Sequence, residues 1–211
     1  MMEFTRLYLI RHGQVVGHDT PTYNGHTDVD LTPLGKAQLD AVVEDMAPFQ
    51  LSAVYSSDLK RARYGGEALA REKNLPLRVE PLFREMSFGV WEAMTFDEVK
   101  EKYPGYMEQR MSDIVNYKIP EGETIADVWA RVGKGLDALL ENHKNEHVAL
   151  FAHSGVNRVI LLRALGCPPE MIWRMDQHYG CLNIIDYFHD GFCIVRLANG
   201  PNRATLAHNG D

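Results

Sequence analysis

The sequence predicts an α/β sandwich whose central sheet is mainly parallel. Three observations favour this fold class. Short apolar runs of strand length alternate along the chain with longer amphipathic stretches of helical periodicity. Three of these runs end in polar clusters, as strands do at the ligand-binding edge of a parallel sheet. Hydrophobic residues make up 45% of the 211 residues and charged residues 24%, which suits a globular protein with a substantial core.

The predicted elements follow one another with little unassigned chain between them. The strands lie at residues 7–10, 53–55, 147–152, 181–187 and 192–197, and the helices begin at residue 33, at about residue 59, after residue 123 and at residue 156. Thr32 and Pro33 supply a hydroxyl N-cap and a first-turn proline for the first helix. Gly65 and Gly66 weaken the second helix, at residues 59–73, by about 1 kcal/mol each. The clearest helix follows Glu123, because its apolar residues recur at intervals of three and four.

Two parts of the chain allow more than one interpretation. The last two strands flank the turn 189–191, and they form either an antiparallel hairpin or two strands that lie apart in one sheet. Residues from about 81 to 120 are irregular and predict a helical excursion over the sheet edge, with a lid as one possible role. This stretch carries the aromatic residues Trp91, Tyr103, Tyr106 and Tyr117. Since repeats and linkers are lacking, we expect a single domain over residues 1–211, and the oligomeric state stays open.

Composition excludes several classes of protein. The net charge of -7, from 22 basic and 29 acidic residues, argues against a nucleic-acid partner. The first residues lack a basic segment followed by a long apolar one, and no run reaches the ~18 apolar residues of a membrane span, so we expect a cytoplasmic protein. The odd set Cys167, Cys181 and Cys193 has no CxxC pair, which predicts reduced core thiols rather than disulfides or a zinc site.

The polar clusters at the strand ends are the candidates for chemistry. Arg11 and His12 directly follow the first strand, where an arginine can bind a phosphoryl group and a histidine can attack it. His153 follows the strand 147–152 and precedes a helix, whose N-terminus favours an anion. Arg61, after the second strand, can point toward the same edge, and Glu85 lies among apolar residues that favour a proton-donating carboxyl group. Taken alone, each has an ordinary structural alternative: a strand end, a turn histidine, a solvated helix arginine, an ion pair or a cap.

Four motifs in a fixed order resemble a known family, although none of the residues above indicates that family by itself. They are LIRHG at 9–13, SSDLKRA at 56–62, REMSFGVWE at 84–92 and AHSG at 152–155. In this order they resemble the histidine phosphatase superfamily, in the branch with phosphoglycerate mutases and α-ribazole phosphatases, from about residue 7 to residue 183. The resemblance implies a three-layer α/β/α sandwich of the phosphoglycerate mutase type. It also implies a nucleophile at His12, phosphate binding by Arg11, Arg61 and His153, and a proton donor at Glu85.

Several positions depart from the family pattern. Gln14 and His18 stand where many relatives have a glutamate and an asparagine, Gly65-Gly66 replaces the usual Thr-Ala, and His153-Ser154-Gly155 replaces HGG. The missing asparagine weakens the mutase interpretation, because it belongs to the mutase signature. The segment 23–32, YNGHTDVDLT, looks more like α-ribazole phosphatases and related broad phosphatases.

The implied reaction is hydrolysis of a small organic phosphate monoester, with α-ribazole phosphate as one candidate substrate and with neither metal nor cofactor. Neutral imidazole is not repelled by an anionic ester, two arginines can neutralise its charge, and an acid can protonate the leaving alkoxide. The alternatives are a cofactor-dependent phosphoglycerate mutase, a metallohydrolase and a non-enzymatic binding protein. Two arginines would repel a divalent cation, and HxH or HExxH spacing is lacking, which disfavours the metallohydrolase.

Overall fold

The computed structural model describes residues 3–198, which form one six-stranded sheet with helices on both of its faces. In chain order the strands are β1 Phe4–Arg11, β2 Ala53–Ser56, β3 Leu77–Val79, β4 His147–Ala152, β5 Leu182–Phe188 and β6 Cys193–Ala198. The α-helices are α1 Pro33–Met46, α2 Lys60–Glu72, α3 Phe96–Lys102, α4 Tyr106–Ser112, α5 Ile125–Asn142 and α6 Ser154–Ala164. Short 3₁₀ turns cover Pro81–Phe83, Gly89–Trp91 and Pro169–Arg174. The predicted α/β class is confirmed.

The strand order across the sheet is β3-β2-β4-β1-β5-β6. The pairs β1–β4, β2–β4 and β2–β3 are parallel, whereas β5 runs antiparallel to both β1 and β6. The sheet is therefore mainly parallel, as predicted. The open choice for the last two strands is settled, because β5 and β6 form an antiparallel hairpin.

Alternation of side chains along the strands divides the core into two clusters. On β1, Leu7 and Leu9 belong to the cluster that contains the buried residues of α5 and α6. Tyr8 and Ile10, which point to the opposite face, belong to the cluster with α1 and α2. Strands β1 and β4 are buried on both faces, which is why their sequences contain continuous apolar runs. Helices on both faces make the three-layer α/β/α sandwich.

Helix α2 is continuous despite Gly65 and Gly66, because both glycines let it pack closely on the sheet. A Cβ atom on Gly65 would lie 2.5 Å from the ring of Phe151 in β4. A Cβ atom on Gly66 would lie 3.0 Å from the Cβ atom of Ser56 in β2. The propensity cost of the glycines is thus offset by contact between helix and sheet.

Three details differ from the sequence prediction. The exposed three-residue strand β3 was not predicted. The turn expected at 153–155 is wrong, because α6 already begins at Ser154 and His153 is its N-cap residue. All three cysteines are free, and the expectation of core thiols holds only for Cys181, because Cys167 and Cys193 are half-buried.

The segment 81–120 contains α3 and α4, which confirms its helical character. Trp91 is fully buried and its ring centroid lies 4.5 Å from that of Tyr106. Tyr106 also contacts Tyr103 and Tyr117, with centroids 5.5 and 5.1 Å apart. These aromatic side chains thus hold the excursion together. Within residues 3–198, none of the helices combines the length and the apolar character that a bilayer span requires.

Candidate active site

Three polar positions meet at the carboxyl ends of neighbouring strands. Arg11 at the end of β1 is level with Ala152 at the end of β4, and Ser56 at the end of β2 is level with Phe151. The next residue of each strand is therefore brought to the same edge: His12, His153 and Ser57. The imidazole rings of His12 and His153 have centroids 5.2 Å apart. The predicted meeting of the polar clusters at one edge is confirmed.

His12 is buried in a single tautomeric state. Its Nδ1 lies 2.8 Å from the carbonyl oxygen of Gly13. Because a carbonyl oxygen only accepts hydrogen bonds, Nδ1 carries the proton and Nε2 keeps its lone pair. Burial holds the pKa of His12 well below its ordinary value of 6.5, and the positive charges of Arg11 and Arg61 lower it further. The ring is thus a neutral imidazole with a free lone pair on Nε2.

His153 is fixed in the same tautomer by a short chain of hydrogen bonds. The backbone N–H of Leu59 donates to Ser57 Oγ over 3.2 Å, and Ser57 Oγ lies 2.7 Å from His153 Nε2. Within residues 3–198 the Ser57 hydroxyl has no other acceptor, so its proton is hydrogen-bonded only when it points to His153 Nε2. His153 Nδ1 then carries the ring proton. This atom is buried and has no hydrogen-bond partner among residues 3–198. Burial, followed by the charge of Arg61, keeps the pKa of His153 well below 6.5, so the ring is a neutral donor.

Arg11 is held from behind by the loop that follows α6. One terminal nitrogen of its guanidinium group donates to the carbonyl oxygen of Gln177, and the group lies 4.0 Å from the ring centroid of Tyr179. Gln177 is in turn fixed by Asn183, whose Nδ2 donates to Gln177 Oε1 over 2.8 Å. Arg11 Nε is buried and lacks a hydrogen-bond partner in the described part of the chain. Two unpaired buried donors, on Arg11 and His153, therefore belong to the same strand edge.

Arg61 is the most deeply buried cation of the site, with only 2% of its surface exposed. Its terminal nitrogens donate to the carbonyl oxygens of Thr27 and Gly25, at 2.8 and 2.7 Å. Burial lowers the pKa of Arg61, the nearby carboxylate of Glu85 opposes that shift, and an arginine stays charged in either case. Glu92 supports the same loop, because its carboxylate accepts hydrogen bonds from the backbone N–H groups of His26 and Thr27.

Glu85 bridges the excursion and the N-terminus of α6. Its Oε2 accepts a hydrogen bond from the backbone N–H of Gly155 over 3.1 Å, and its Oε1 accepts one from Met86 over 3.0 Å. The carboxylate is therefore hydrogen-bonded to the residue that lies two positions after His153 in the chain. Glu85 is also close enough to Arg61 for its negative charge to raise the pKa of that arginine against the larger, lowering effect of burial.

Arg131 on α5 holds the backbone that carries Glu85, and sequence reasoning missed it. Its guanidinium group donates to the carbonyl oxygens of Leu82, Arg84 and Glu85, at 2.9, 2.7 and 2.9 Å. It also forms a two-pronged ion pair with Glu123. The only sequence signal was an arginine eight residues after a glutamate, and nothing in that spacing indicates three main-chain acceptors.

Two of the departures from the family pattern, Gln14 and His18, contact neighbouring side chains. Gln14 turns toward α1, where its Oε1 accepts a hydrogen bond from the N-cap hydroxyl of Thr32 over 2.8 Å. Gly13 packs against the same helix, since a Cβ atom there would lie 2.0 Å from the carbonyl oxygen of Gly35. His18 is half-buried and its Nδ1 lies 3.3 Å from Asp19 Oδ1. The substituted side chains thus pair with the surrounding scaffold.

A cavity of about 160 Å³ adjoins Glu85. Phe88 and Trp173 line it, while Trp91 is a core residue. Trp129 lines a separate surface cavity of about 490 Å³ between α5, α6 and the β5–β6 hairpin. Among the described residues, no cluster of three or more His, Cys, Asp or Glu side chains is arranged to hold a metal ion.

Comparisons with known proteins agree with this geometry. Residues 7–200 match the histidine phosphatase superfamily (branch 1). The chain is 31% identical over 196 residues to a bifunctional protein of Mycobacterium tuberculosis, which covers 92% of this chain but only 54% of that relative, so the chain spans about half of its length. It is 29% identical over 178 residues to phosphoserine phosphatase 1 of Hydrogenobacter thermophilus, covering 84% and 82% of the two chains. The α-ribazole phosphatase of Shigella flexneri has the same fold, with a TM-score of 0.85, 26% identity, and 93% and 96% of the chains covered.

Proposed function

This chain belongs to the histidine phosphatase superfamily (branch 1), and on that premise we propose that it hydrolyses a small organic phosphate monoester through a phosphohistidine on His12. The observation that carries the proposal is the state of His12: a buried, neutral imidazole whose Nε2 lone pair is available beside Arg11 and Arg61. A neutral nucleophile approaches an anionic ester without charge repulsion, and its low pKa keeps it unprotonated at neutral pH.

In the first step, His12 Nε2 attacks phosphorus and the bond from phosphorus to the ester oxygen breaks. Arg11, Arg61 and the Nδ1–H of His153 bind the nonbridging oxygens, where charge-assisted hydrogen bonds hold the group in line. The two unpaired buried donors, Arg11 Nε and His153 Nδ1, support this role because an anion would supply their missing acceptors. Protonated Glu85 gives its proton to the departing alkoxide, which leaves as a neutral alcohol.

In the second step, water attacks the phosphohistidine. The Glu85 carboxylate takes the proton from the water as the new oxygen–phosphorus bond forms. The phosphorus–nitrogen bond then breaks, Nε2 recovers its lone pair, and inorganic phosphate is released. Glu85 ends the cycle protonated and ready for the next ester.

The same arrangement favours a metal-independent hydrolase over the alternatives. Two arginines supply the charge stabilisation that a metal ion supplies elsewhere. The mutase alternative has less support, because His18 replaces the asparagine of the mutase signature and pairs with Asp19. Similarity to the Shigella enzyme makes α-ribazole phosphate a first candidate substrate. The free cysteines and the net charge of -7 favour a reducing, cytoplasmic setting and a small-molecule partner rather than a nucleic acid.

Hydrolysis of p-nitrophenyl phosphate tests the proposal directly. We expect activity that survives EDTA, and a ³²P-labelled, acid-labile phosphoenzyme that forms in the wild-type chain but not in His12→Ala. His189→Ala, which removes an exposed histidine on the far hairpin, is the matched control and should label normally. A His12→Ala enzyme that keeps more than about a tenth of the wild-type kcat, a difference of ~1.4 kcal/mol, would contradict the nucleophile. Complete loss of activity with EDTA, restored by a divalent ion, would refute the metal-independent mechanism.

A further inference from the structure

The cavity beside Glu85 is lined mainly by apolar side chains. They come from the excursion, from α5 and from the 3₁₀ turn after α6: Met86, Phe88, Ile125, Val128, Ile172 and Trp173. Its volume is about 160 Å³. A cavity of ~150 Å³ with an apolar lining accepts one benzene molecule, so this cavity has room for about one six-membered ring.

The cavity begins where the alcohol part of a bound ester would have to lie. A proton donor must be within hydrogen-bond reach of the ester oxygen, so the proposed role of Glu85 puts that oxygen beside its carboxyl group. Glu85 itself lines the cavity together with Gly155, whose backbone N–H it accepts. The first carbon of the alcohol, bonded to the same oxygen, therefore enters the apolar space.

The basic residue of the cavity lining is already engaged by the protein. Within the described part of the chain, Arg158 is the one basic residue of the lining. Its Nε donates to the carbonyl oxygen of Met175 over 2.7 Å, and its Nη1 donates to Ser154 Oγ over 2.8 Å. Its guanidinium group also lies 5.2 Å from the ring centroid of Trp173, so it supports that ring rather than standing free.

Arg110 on α4 is a nearby cation with an unpaired buried donor. It is 6% exposed, its guanidinium group lies 5.9 Å from the ring centroid of Phe88 and 5.8 Å from that of Trp173, and its Nη2 has no hydrogen-bond partner among residues 3–198. It packs against both aromatic residues but does not line the cavity. We therefore infer that Arg110 supports the aromatic rings of Phe88 and Trp173. Comparing charged with uncharged substrates tests that role.

We propose that the preferred substrate carries an uncharged, apolar alcohol of about one ring in size. The inference rests on the proposed phosphatase function and narrows its substrate class. It disfavours phosphoserine, which carries two further charges, and sugar phosphates, whose hydroxyl groups would lose their hydration in this space. It also ranks α-ribazole phosphate, the candidate suggested by similarity to the Shigella enzyme, below esters of apolar alcohols, because its phosphate is attached to a ribose.

The test compares benzyl phosphate with ribose 5-phosphate and phosphoserine. All are primary alkyl esters, so their leaving groups need similar help and differences in kcat/KM report on the cavity. Each buried methylene is worth ~0.8 kcal/mol, about 4-fold, so we expect benzyl phosphate to exceed both others by at least about 30-fold. Trp173→Ala, at a residue that is 49% exposed, should lower kcat/KM for benzyl phosphate about 10-fold and for ribose 5-phosphate less than about 2-fold. Trp129→Ala, on the other cavity, should change neither.

Calorimetric binding of benzylphosphonate and methylphosphonate, which cannot be hydrolysed, separates this inference from the proposed function. We expect the benzyl compound to bind at least about 10-fold more tightly, and Trp173→Ala to remove most of that difference. Equal binding of the two phosphonates would overturn the inference whatever the activity. Equal or better hydrolysis of ribose 5-phosphate or phosphoserine would overturn it too, and preference for phosphoserine would point to Arg110 as a carboxylate ligand. Selective benzylphosphonate binding without hydrolysis of any ester would support the cavity and refute the phosphatase.

Discussion

At the scale of single residues, Glu85 is the proposed catalytic group whose contribution depends most on the substrate. An alkyl ester leaves as a strongly basic alkoxide and needs a proton, whereas p-nitrophenolate needs little help. Glu85→Gln should therefore slow transfer from an alkyl ester by up to about 10²–10⁴-fold and transfer from p-nitrophenyl phosphate far less. Rapid-quench measurement of the first turnover avoids the second step, in which the lost base would also slow hydrolysis.

Two outcomes of that experiment are informative. With the aryl ester, the phosphoenzyme should form at a near-normal rate in Glu85→Gln and then accumulate. Equal slowing of both esters in the first turnover would show that Glu85 binds the substrate or supports the structure and does not donate a proton. The proton donor would then have to be sought elsewhere in the segment 81–120.

Ser57 is expected to act through His153 as a positioning residue. Its hydroxyl proton is the feature that places the ring proton of His153 on Nδ1. In Ser57→Ala the two tautomers become closer in energy, and the donor to the phosphoryl group is lost in part. We expect kcat to fall about 10-fold, the value of one hydrogen bond of ~1.4 kcal/mol.

Nitrogen-15 NMR of the imidazoles distinguishes this role from a general loss of structure. His153 Nδ1 should report one protonated state in the wild-type chain and a mixture in Ser57→Ala. Ser56→Ala is the matched control, because Ser56 is equally buried but its hydroxyl donates to the carbonyl oxygen of Ser57. An unchanged His153 spectrum in Ser57→Ala, or the same spectral change in Ser56→Ala, would rule out the positioning role.

Residue types and strand ends predicted part of the site but not its support. The placement of His12 and His153 at one sheet edge was predictable because both lie at the ends of apolar runs, whereas the roles proposed for all the site residues came from the family resemblance. The contact between Ser57 and His153 joins residues 96 positions apart, which local periodicity cannot reveal. Phe88 and Trp173 meet at one cavity only because the excursion and the turn after α6 fold against each other.

At the scale of helices and strands, the glycines of two helices should respond in opposite ways to alanine. Alanine removes the propensity cost of glycine, about 1 kcal/mol, at any helical position. In α2, a Cβ atom at Gly65 would lie 2.5 Å from the ring of Phe151, which is enclosed in the sheet core. Gly65→Ala should therefore destabilise the fold by about 1–3 kcal/mol through overpacking.

Gly133 in α5 is the matched control for Gly65. A Cβ atom there would lie 2.7 Å from Arg163 Nη1, the far end of a flexible side chain that can move aside. Gly133→Ala should thus be neutral or stabilising by up to about 1 kcal/mol. Urea unfolding of both variants gives the comparison, and a stabilised Gly65→Ala would show that α2 can shift away from β4 at little cost.

Local signals fixed the start of some elements and missed others for physical reasons. Thr32 does cap α1, since its hydroxyl accepts a hydrogen bond from Gly35 N–H over 2.9 Å. Strand β3 escaped notice because it is three residues long, exposed and directly preceded by Pro76, so its identity comes from pairing with β2. The start of α6 was placed two residues late, because a serine and a glycine also suit a turn.

At the scale of the whole molecule, burial of neutral imidazoles ties stability to pH. Burial lowers the pKa of His12, His153 and the half-buried His147 below 6.5, the value expected in the unfolded chain. As the pH falls below 6.5, these histidines become protonated in the unfolded chain while they stay neutral in the folded chain. The free energy of unfolding should therefore decrease, by up to about 1.4 kcal/mol per pH unit for each histidine.

Urea denaturation at pH 7.5 and pH 5.5, in buffers without phosphate, measures this dependence. His153→Asn should reduce the slope of the free energy of unfolding against pH by up to about 1.4 kcal/mol per pH unit, which is the contribution of one proton. A free energy of unfolding that stays constant between the two pH values would show that the folded protein accepts these protons. It would then also weaken the case for a neutral His12.

The way Arg131 holds the excursion has a consequence for how such enzymes can diverge. Its three contacts with residues 82–85 are all to main-chain carbonyl oxygens, which every amino acid provides. The anchor therefore survives substitution of the side chains that it positions. Changes at Met86 or Phe88 can reshape the space for the alcohol while His12 and the arginines, fixed to other elements, keep their geometry. A lineage can in this way exchange one metabolite for another by a few mutations in a short stretch, without first passing through an inactive ancestor.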